Sequence, residues 1–192
     1  MVTLLHNQEC TRCPALVASR RRIVHGCGDA ESGIVFIGEA PGRYGADQTG
    51  IPFWGDRSGR VLRRMLVRIG LASDETASAT LRCFITNAVR CCPPGNRMPT
   101  PDEIRACREW LHMELDIIKP YLIVPVGRIA LREVGMRYLG RDPGSIRALH
   151  ATVLRSKRIT ILPLIHPARI SRADIQAFVT AAQPLIDERN EP

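Results

Sequence analysis

Short apolar strands alternate with amphipathic helices along this 192-residue chain, which predicts an α/β fold. The architecture expected is a three-layer α/β/α sandwich around a central, mostly parallel four-stranded sheet. Two further observations support one compact unit spanning residues 1–192. No internal repeat, low-complexity tract or linker interrupts the chain, and its loops are short and punctuated by Gly and Pro.

The first strand is Gly33-Ile34-Val35-Phe36-Ile37-Gly38, an apolar run that opens into a Gly/Pro-rich loop from Glu39 to Gly55. A helix follows, with Val61, Leu62, Met65, Leu66 and Ile69 on one face and Arg60, Arg64 and Arg68 off it. Cys83 to Val89 reads as the second strand. Thr100-Pro101-Asp102-Glu103 has the signature of a helix start: a threonine cap, proline in the first turn, and early acids. Tyr121 to Gly127 is the third strand, with a helix over about Arg128 to Tyr138. Ile159 to Ile165 is the fourth, ending at His166-Pro167. The last helix carries Ile175, Phe178, Val179 and Ala182, and Pro184 is expected to end or kink it. Ligands of such sheets bind beyond the carboxyl ends of the strands. Gly38-Glu39, Thr86-Asn87 and His166 stand at three of those ends, so a site is expected along that edge.

Composition narrows the function. At 45% hydrophobic and 24% charged, the chain is not a disordered one. No run of about 18 apolar residues could span a membrane, and the amino end lacks a secretory pattern, so an intracellular, cytoplasmic location is expected. The net charge of +8 comes almost wholly from arginine, with Lys119 and Lys157 the only lysines. Arginine forks suit phosphate, and a basic surface favours a polyanion. Genomic composition explains the same excess equally well. No G-x-G-x-x-G follows the first strand, which argues against a dinucleotide-binding oxidoreductase.

Seven cysteines in such a chain point to ligands or buried thiols rather than disulfides. Cys10 and Cys13 form a C-x2-C pair, and Cys91 and Cys107 a wide one. Four thiolates suit tetrahedral zinc or a cubane iron–sulfur cluster, and this spacing leaves the metal open. Cys92 is an alternative to Cys91, while Cys27 and Cys83 are spares.

These segments together resemble the iron–sulfur uracil-DNA glycosylases, families 4 and 5 of that superfamily. The resemblance runs from Cys10 to about Ala168. It covers the Cys10/Cys13 pair, GEAPG at 38–42, GIPFWG at 50–55, TNAVRC at 86–91, PPGNRMPTPDEIRAC at 93–107, VGRIAL at 126–131 and HPA at 166–168. Glu39 and Asn87 match family 4. The longer interval from Gly42 to Gly50, and Asp56 after it, match family 5.

The resemblance implies a monomeric DNA-repair glycosylase that flips uracil out of DNA and hydrolyses its N-glycosidic bond, beginning base excision repair. It implies a structural 4Fe–4S cluster on Cys10, Cys13, Cys91 and Cys107, with Cys92 an incidental neighbour. Phe53 would stack on the base. Asn87 would pair with O4 and N3–H of uracil, since a carboxamide offers both a donor and an acceptor. His166 would donate to the departing O2, with backbone amides around Gly38 and Glu39 assisting. Glu39 or Asp56 would orient water, Tyr44 would line the pocket, and Arg57, Arg97, Arg169 and Arg172 would meet DNA. A broader family 5-like activity on hypoxanthine, xanthine or hydroxymethyluracil is the alternative within the class. A non-catalytic, zinc-stabilised nucleic-acid-binding module is the alternative outside it.

Overall fold

The computed structural model describes residues 9–157 and 159–187. Its strands are β1 (Cys27–Gly28), β2 (Ile34–Gly38), β3 (Phe84–Asn87), β4 (Leu122–Pro125), β5 (Leu154–Arg155) and β6 (Thr160–Ile161). Its helices are α1 (Pro14–Ser19), α2 (Ala46–Thr49), α3 (Arg57–Arg68), α4 (Pro101–Ile118), α5 (Arg128–Tyr138) and α6 (Arg172–Asp187), with single 3-10 turns at Pro94–Asn96 and Pro167–Arg169. The strands form one sheet in the order β1-β3-β2-β4-β6-β5. The four inner strands are parallel and the two edge strands antiparallel.

The sheet therefore has six strands where the sequence predicts four. The four predicted ones are the parallel core. The two additional ones are two residues long, too short to leave any periodic pattern in the sequence.

Both faces of the sheet are covered, and β2 shows why its sequence is continuously apolar. Ile34 and Phe36 pack on one face with Leu62, Met65 and Leu66 of α3 and Phe178 of α6. Val35 and Ile37 pack on the other with Leu111 and Leu115 of α4 and Val134 of α5. Alternate side chains leave a strand on opposite sides, so a strand buried on both faces needs an apolar residue at every position. Each such side chain contributes roughly 1.5–3 kcal/mol when fully buried.

α4 begins as its sequence predicts. Thr100 Oγ1 accepts from the Glu103 amide at 3.2 Å, and the Glu103 carboxylate accepts from the Thr100 amide at 2.7 Å, a reciprocal capping box. Pro184 does not end α6, which continues to Asp187. The two residues beyond it, Leu185 and Ile186, are buried in the core, and their burial offsets the lost helical hydrogen bond.

Register places the site. Gly38 is level with Asn87, Ile37 with Pro125, and Ile123 with Ile161, while Val126 bridges to Leu164. The residues that follow these strands, Glu39, Ala88, Gly127 and His166, thus emerge along one edge.

Candidate active site

A cavity of about 520 Å3 opens at that edge, and Glu39, Phe53, Asp56, Asn87, Arg97, His166 and Arg169 are among the residues lining it. Gly38, one of the predicted base-binding residues, is not among the lining residues but packs directly behind two of them. A Cβ on Gly38 would lie 2.3 Å from Asn87 Oδ1 and 2.6 Å from the Phe53 ring, so the phenyl ring and the carboxamide close over a position that only glycine can occupy.

Phe53 is held in the left-handed region at φ 51°, a conformation that costs a bulky residue about 1–3 kcal/mol. Its loop is fixed to α3: a Cβ on Gly59 would come within 2.3 Å of the Phe53 carbonyl oxygen. The ring stands 6.3 Å, centroid to centroid, from the His166 imidazole.

Asn87 ends β3 and is 2% exposed. Its carboxamide has no hydrogen-bond partner among the described residues, although it faces the cavity. Asn87 is not among the buried polar groups left without a partner, so its amide is open to the cavity and presents a donor and an acceptor to a ligand there.

The tautomer of His166 follows from its neighbours. Its Nδ1 accepts from the Ala168 amide at 3.3 Å, which leaves the proton on Nε2. Burial holds the imidazole below its usual pKa; Asp56 opposes this in part, and Arg169 adds a smaller push downward. The ring is therefore a neutral donor at neutral pH.

Two acids stand beside it. Burial raises the Glu39 carboxyl above the usual range, partly countered by Arg169. Asp56 caps α3, with Oδ1 accepting from the Gly59 amide at 2.8 Å. Asp56 thus has both a structural duty and a place in the cavity wall.

Other predicted site residues fall elsewhere. Tyr44 is 74% exposed on the turn before α2 and does not line the cavity. Arg57 and Arg172, the first residues of α3 and α6, are exposed and also lie outside its lining. Arg97 lines the cavity, but its guanidinium grips Glu103 at 2.7 and 2.8 Å, so the capping box already neutralises it. Arg128 and Arg147 line the cavity and escape the sequence reading. Arg147 stands in a turn-rich segment without motif or periodicity, so nothing local signals its position.

Cys10, Cys13, Cys91 and Cys107 line a second cavity together with Arg20, Arg90 and Trp110. Arg20 Nη1 donates to Cys91 Sγ at 3.3 Å, and the Arg90 amide donates to Cys107 Sγ at the same distance. Among the described residues no three His, Cys, Asp or Glu side chains form a group that could hold a metal ion. Four thiols around one cavity, two of them accepting from N–H groups, are the donor set that tetrahedral zinc or a cubane iron–sulfur cluster would take. Cys92 is outside this cavity, its thiol donating to the Pro93 carbonyl at 3.6 Å. The two cavities are linked through a buried ion pair, Arg90 to Glu114 at 2.6 Å, with Glu114 also accepting from Thr86 beside Asn87.

Fold and site together define an α/β/α protein with an open cavity, an aromatic wall and two acids at the carboxyl edge of the parallel strands. Comparison with known sequences makes the assignment specific. The sequence model of the Uracil DNA glycosylase superfamily matches residues 25–186, and the chain belongs to that superfamily. It is 34% identical to the type-4 uracil-DNA glycosylase of Archaeoglobus fulgidus over 167 residues, covering 84% of this chain and 77% of the relative. It is 40% identical to the type-5 uracil-DNA glycosylase of Thermus thermophilus over 144 residues, 64% of this chain and 65% of that protein. The type-5 enzyme of Pyrobaculum aerophilum is 30% identical over 183 residues, 84% of this chain and 79% of its own. No helix among the described residues is long and apolar enough to cross a membrane.

Proposed function

We propose that this protein is a DNA-repair glycosylase that flips uracil out of DNA and hydrolyses the bond between C1′ and N1. The observation that carries this reading is the carboxamide of Asn87, which lines the same cavity as the Phe53 ring and the His166 imidazole and makes no side-chain hydrogen bond among the described residues. Uracil presents an acceptor at O4 next to a donor at N3, which a carboxamide matches in pairs. Cytosine presents the reverse pattern, and with the amide turned so that Oδ1 accepts from N3–H and Nδ2 donates to O4 it would leave polar groups unsatisfied, at a cost of about 1–3 kcal/mol. Unstacking the nucleotide costs a few kcal/mol, and the Phe53 face returns part of this by stacking.

As the C1′–N1 bond breaks, its electron pair leaves with the base and negative charge spreads onto O2. The Nε2–H of His166 is a fixed donor for that charge, and a preorganised donor in a water-poor pocket needs no rearrangement as the charge develops. The sugar becomes cationic. A water molecule then forms the new bond to C1′ and gives its proton to a carboxylate; the uracil anion takes up a proton from solvent after release, and the carboxylate returns its own, so the products are free uracil and an abasic sugar. Glu39, which carries no capping duty, is assigned that role over Asp56. Arg169 supports the ionised form of Glu39 and, at the cavity rim, would meet the DNA backbone.

Cys10, Cys13, Cys91 and Cys107 would hold a 4Fe–4S cluster, supported by their common cavity and by the amide and guanidinium donors to sulfur. The cluster supplies a cross-link between the amino-terminal segment and α4. The protein is read as a monomer that acts on uracil-containing DNA inside the cell.

The test is single-turnover excision from oligonucleotides containing uracil, hypoxanthine, xanthine or hydroxymethyluracil. Uracil should be released fastest, and Asn87→Asp should lower that rate by at least tenfold. Equal rates on uracil for both proteins would remove the base-pairing role.

A further inference from the structure

α3 carries a charge that the base pocket does not use. Arg63 is 1% exposed, and its Nε and Nη1 are buried without a hydrogen-bond partner among the described residues. No carboxylate among the described residues forms an ion pair with it. Its guanidinium lies over the Trp54 ring at 5.4 Å, a contact far weaker than a counter-charge. A guanidinium does not discharge by losing its proton, so burial leaves it charged. The two thiols that feel its field, Cys27 and Cys83, are both pushed up by burial and remain neutral, and Asp74, the carboxylate that feels it, is exposed and forms no ion pair with it.

Arg63 lines a cavity of about 310 Å3 with Cys27, Asp29, Ile51, Ala79 and Leu81 among its neighbours. None of its lining residues is shared with the base pocket. Most of the wall is apolar. Asp29 is its one acid, and one of its oxygens already accepts from the Glu31 amide at 2.8 Å.

We propose that this cavity is an anion site in which Arg63 receives one phosphate group. Nε and Nη1 are shielded, so the charge-assisted hydrogen bond to a phosphate oxygen comes from Nη2, and the anion neutralises the whole delocalised cation. Ile51 in the wall and Trp54 on the cation belong to the loop that presents Phe53. An occupied site therefore braces that loop from behind. The phosphate has two sources, free inorganic phosphate or the DNA backbone.

The test is thermal unfolding of the purified holoprotein against added inorganic phosphate at constant ionic strength. Wild type should show a saturable rise in Tm, as binding to the native state alone requires. Arg63→Met should show none. Ala79→Leu, which keeps the cation and fills the cavity, should show none either, so the result does not depend on how Arg63→Met folds. A flat wild-type titration, or the same rise in either variant, overturns the proposal. Undamaged duplex DNA then separates the sources: loss of the phosphate-dependent rise assigns the site to the backbone, and retention assigns it to the free ion.

Discussion

Gly38 shows how closely this site is drawn at the level of single residues. Its missing side chain is the space in which Phe53 and Asn87 meet, with the nearest atoms 2.3–2.7 Å from any Cβ. Gly38→Ala should therefore displace both and lower uracil excision at least a hundredfold. Binding to undamaged DNA should stay near wild type, which a gel-shift assay would show. Glu39 gives a pH prediction. Its folded pKa lies above the ordinary glutamate value because burial disfavours the charge. A base must be ionised to accept the water proton, so the rate should fall as pH drops through that raised value, and Glu39→Gln should abolish this limb while lowering the plateau. A Glu39→Gln profile with the limb intact would move the role to Asp56. For DNA contacts, Arg169→Ala should weaken binding and reduce the salt slope by about one. Arg97→Ala should leave that slope unchanged, because Glu103 already holds its charge.

At the level of elements, Asp56 serves two masters. As the cap of α3 it accepts from Gly59, and its loss to alanine should cost about 0.5–2 kcal/mol. Asp56→Asn keeps an acceptor there and should restore most of that stability in denaturant titrations. If Glu39 carries the water, single-turnover rates of Asp56→Asn and Glu39→Gln should differ by at least tenfold, or about 1.4 kcal/mol. Glu114 joins α4 to β3. Both it and Arg90 are buried, so Glu114→Ala leaves an uncompensated cation and should cost about 3–5 kcal/mol. Because Thr86 shares that carboxylate beside Asn87, the same change should also lower excision.

On the scale of the whole molecule, the proposed cluster ties the amino-terminal segment to the body of the fold. Cys13→Ser should lose iron and thermal stability together, whereas Cys92→Ser should keep both, since Cys92 lies outside the cysteine cavity. Iron content and visible absorbance read this directly, and a colourless protein with one zinc per chain would refute the cluster. The net charge of +8 should make DNA affinity fall steeply with salt.

The sequence by itself determined the four parallel strands, the start of α4 and the edge at which the site lies. These depend on local pattern: continuous apolar runs, a threonine cap before an acid, and polar residues where strands end. It also singled out Phe53, Asn87, His166 and the four cysteines, whose residue types carry their chemistry with them. Tertiary structure decided what contacts between distant segments decide. Tyr44 faces solvent, Arg97 is bound to Glu103, and Arg128 and Arg147 join the cavity from segments far along the chain. Glu114 and Arg63, two ordinary-looking charges on amphipathic helices, proved to be buried. Helical spacing shows which face a charge occupies, but its counter-charge and its shielding from water depend on the neighbours that packing brings.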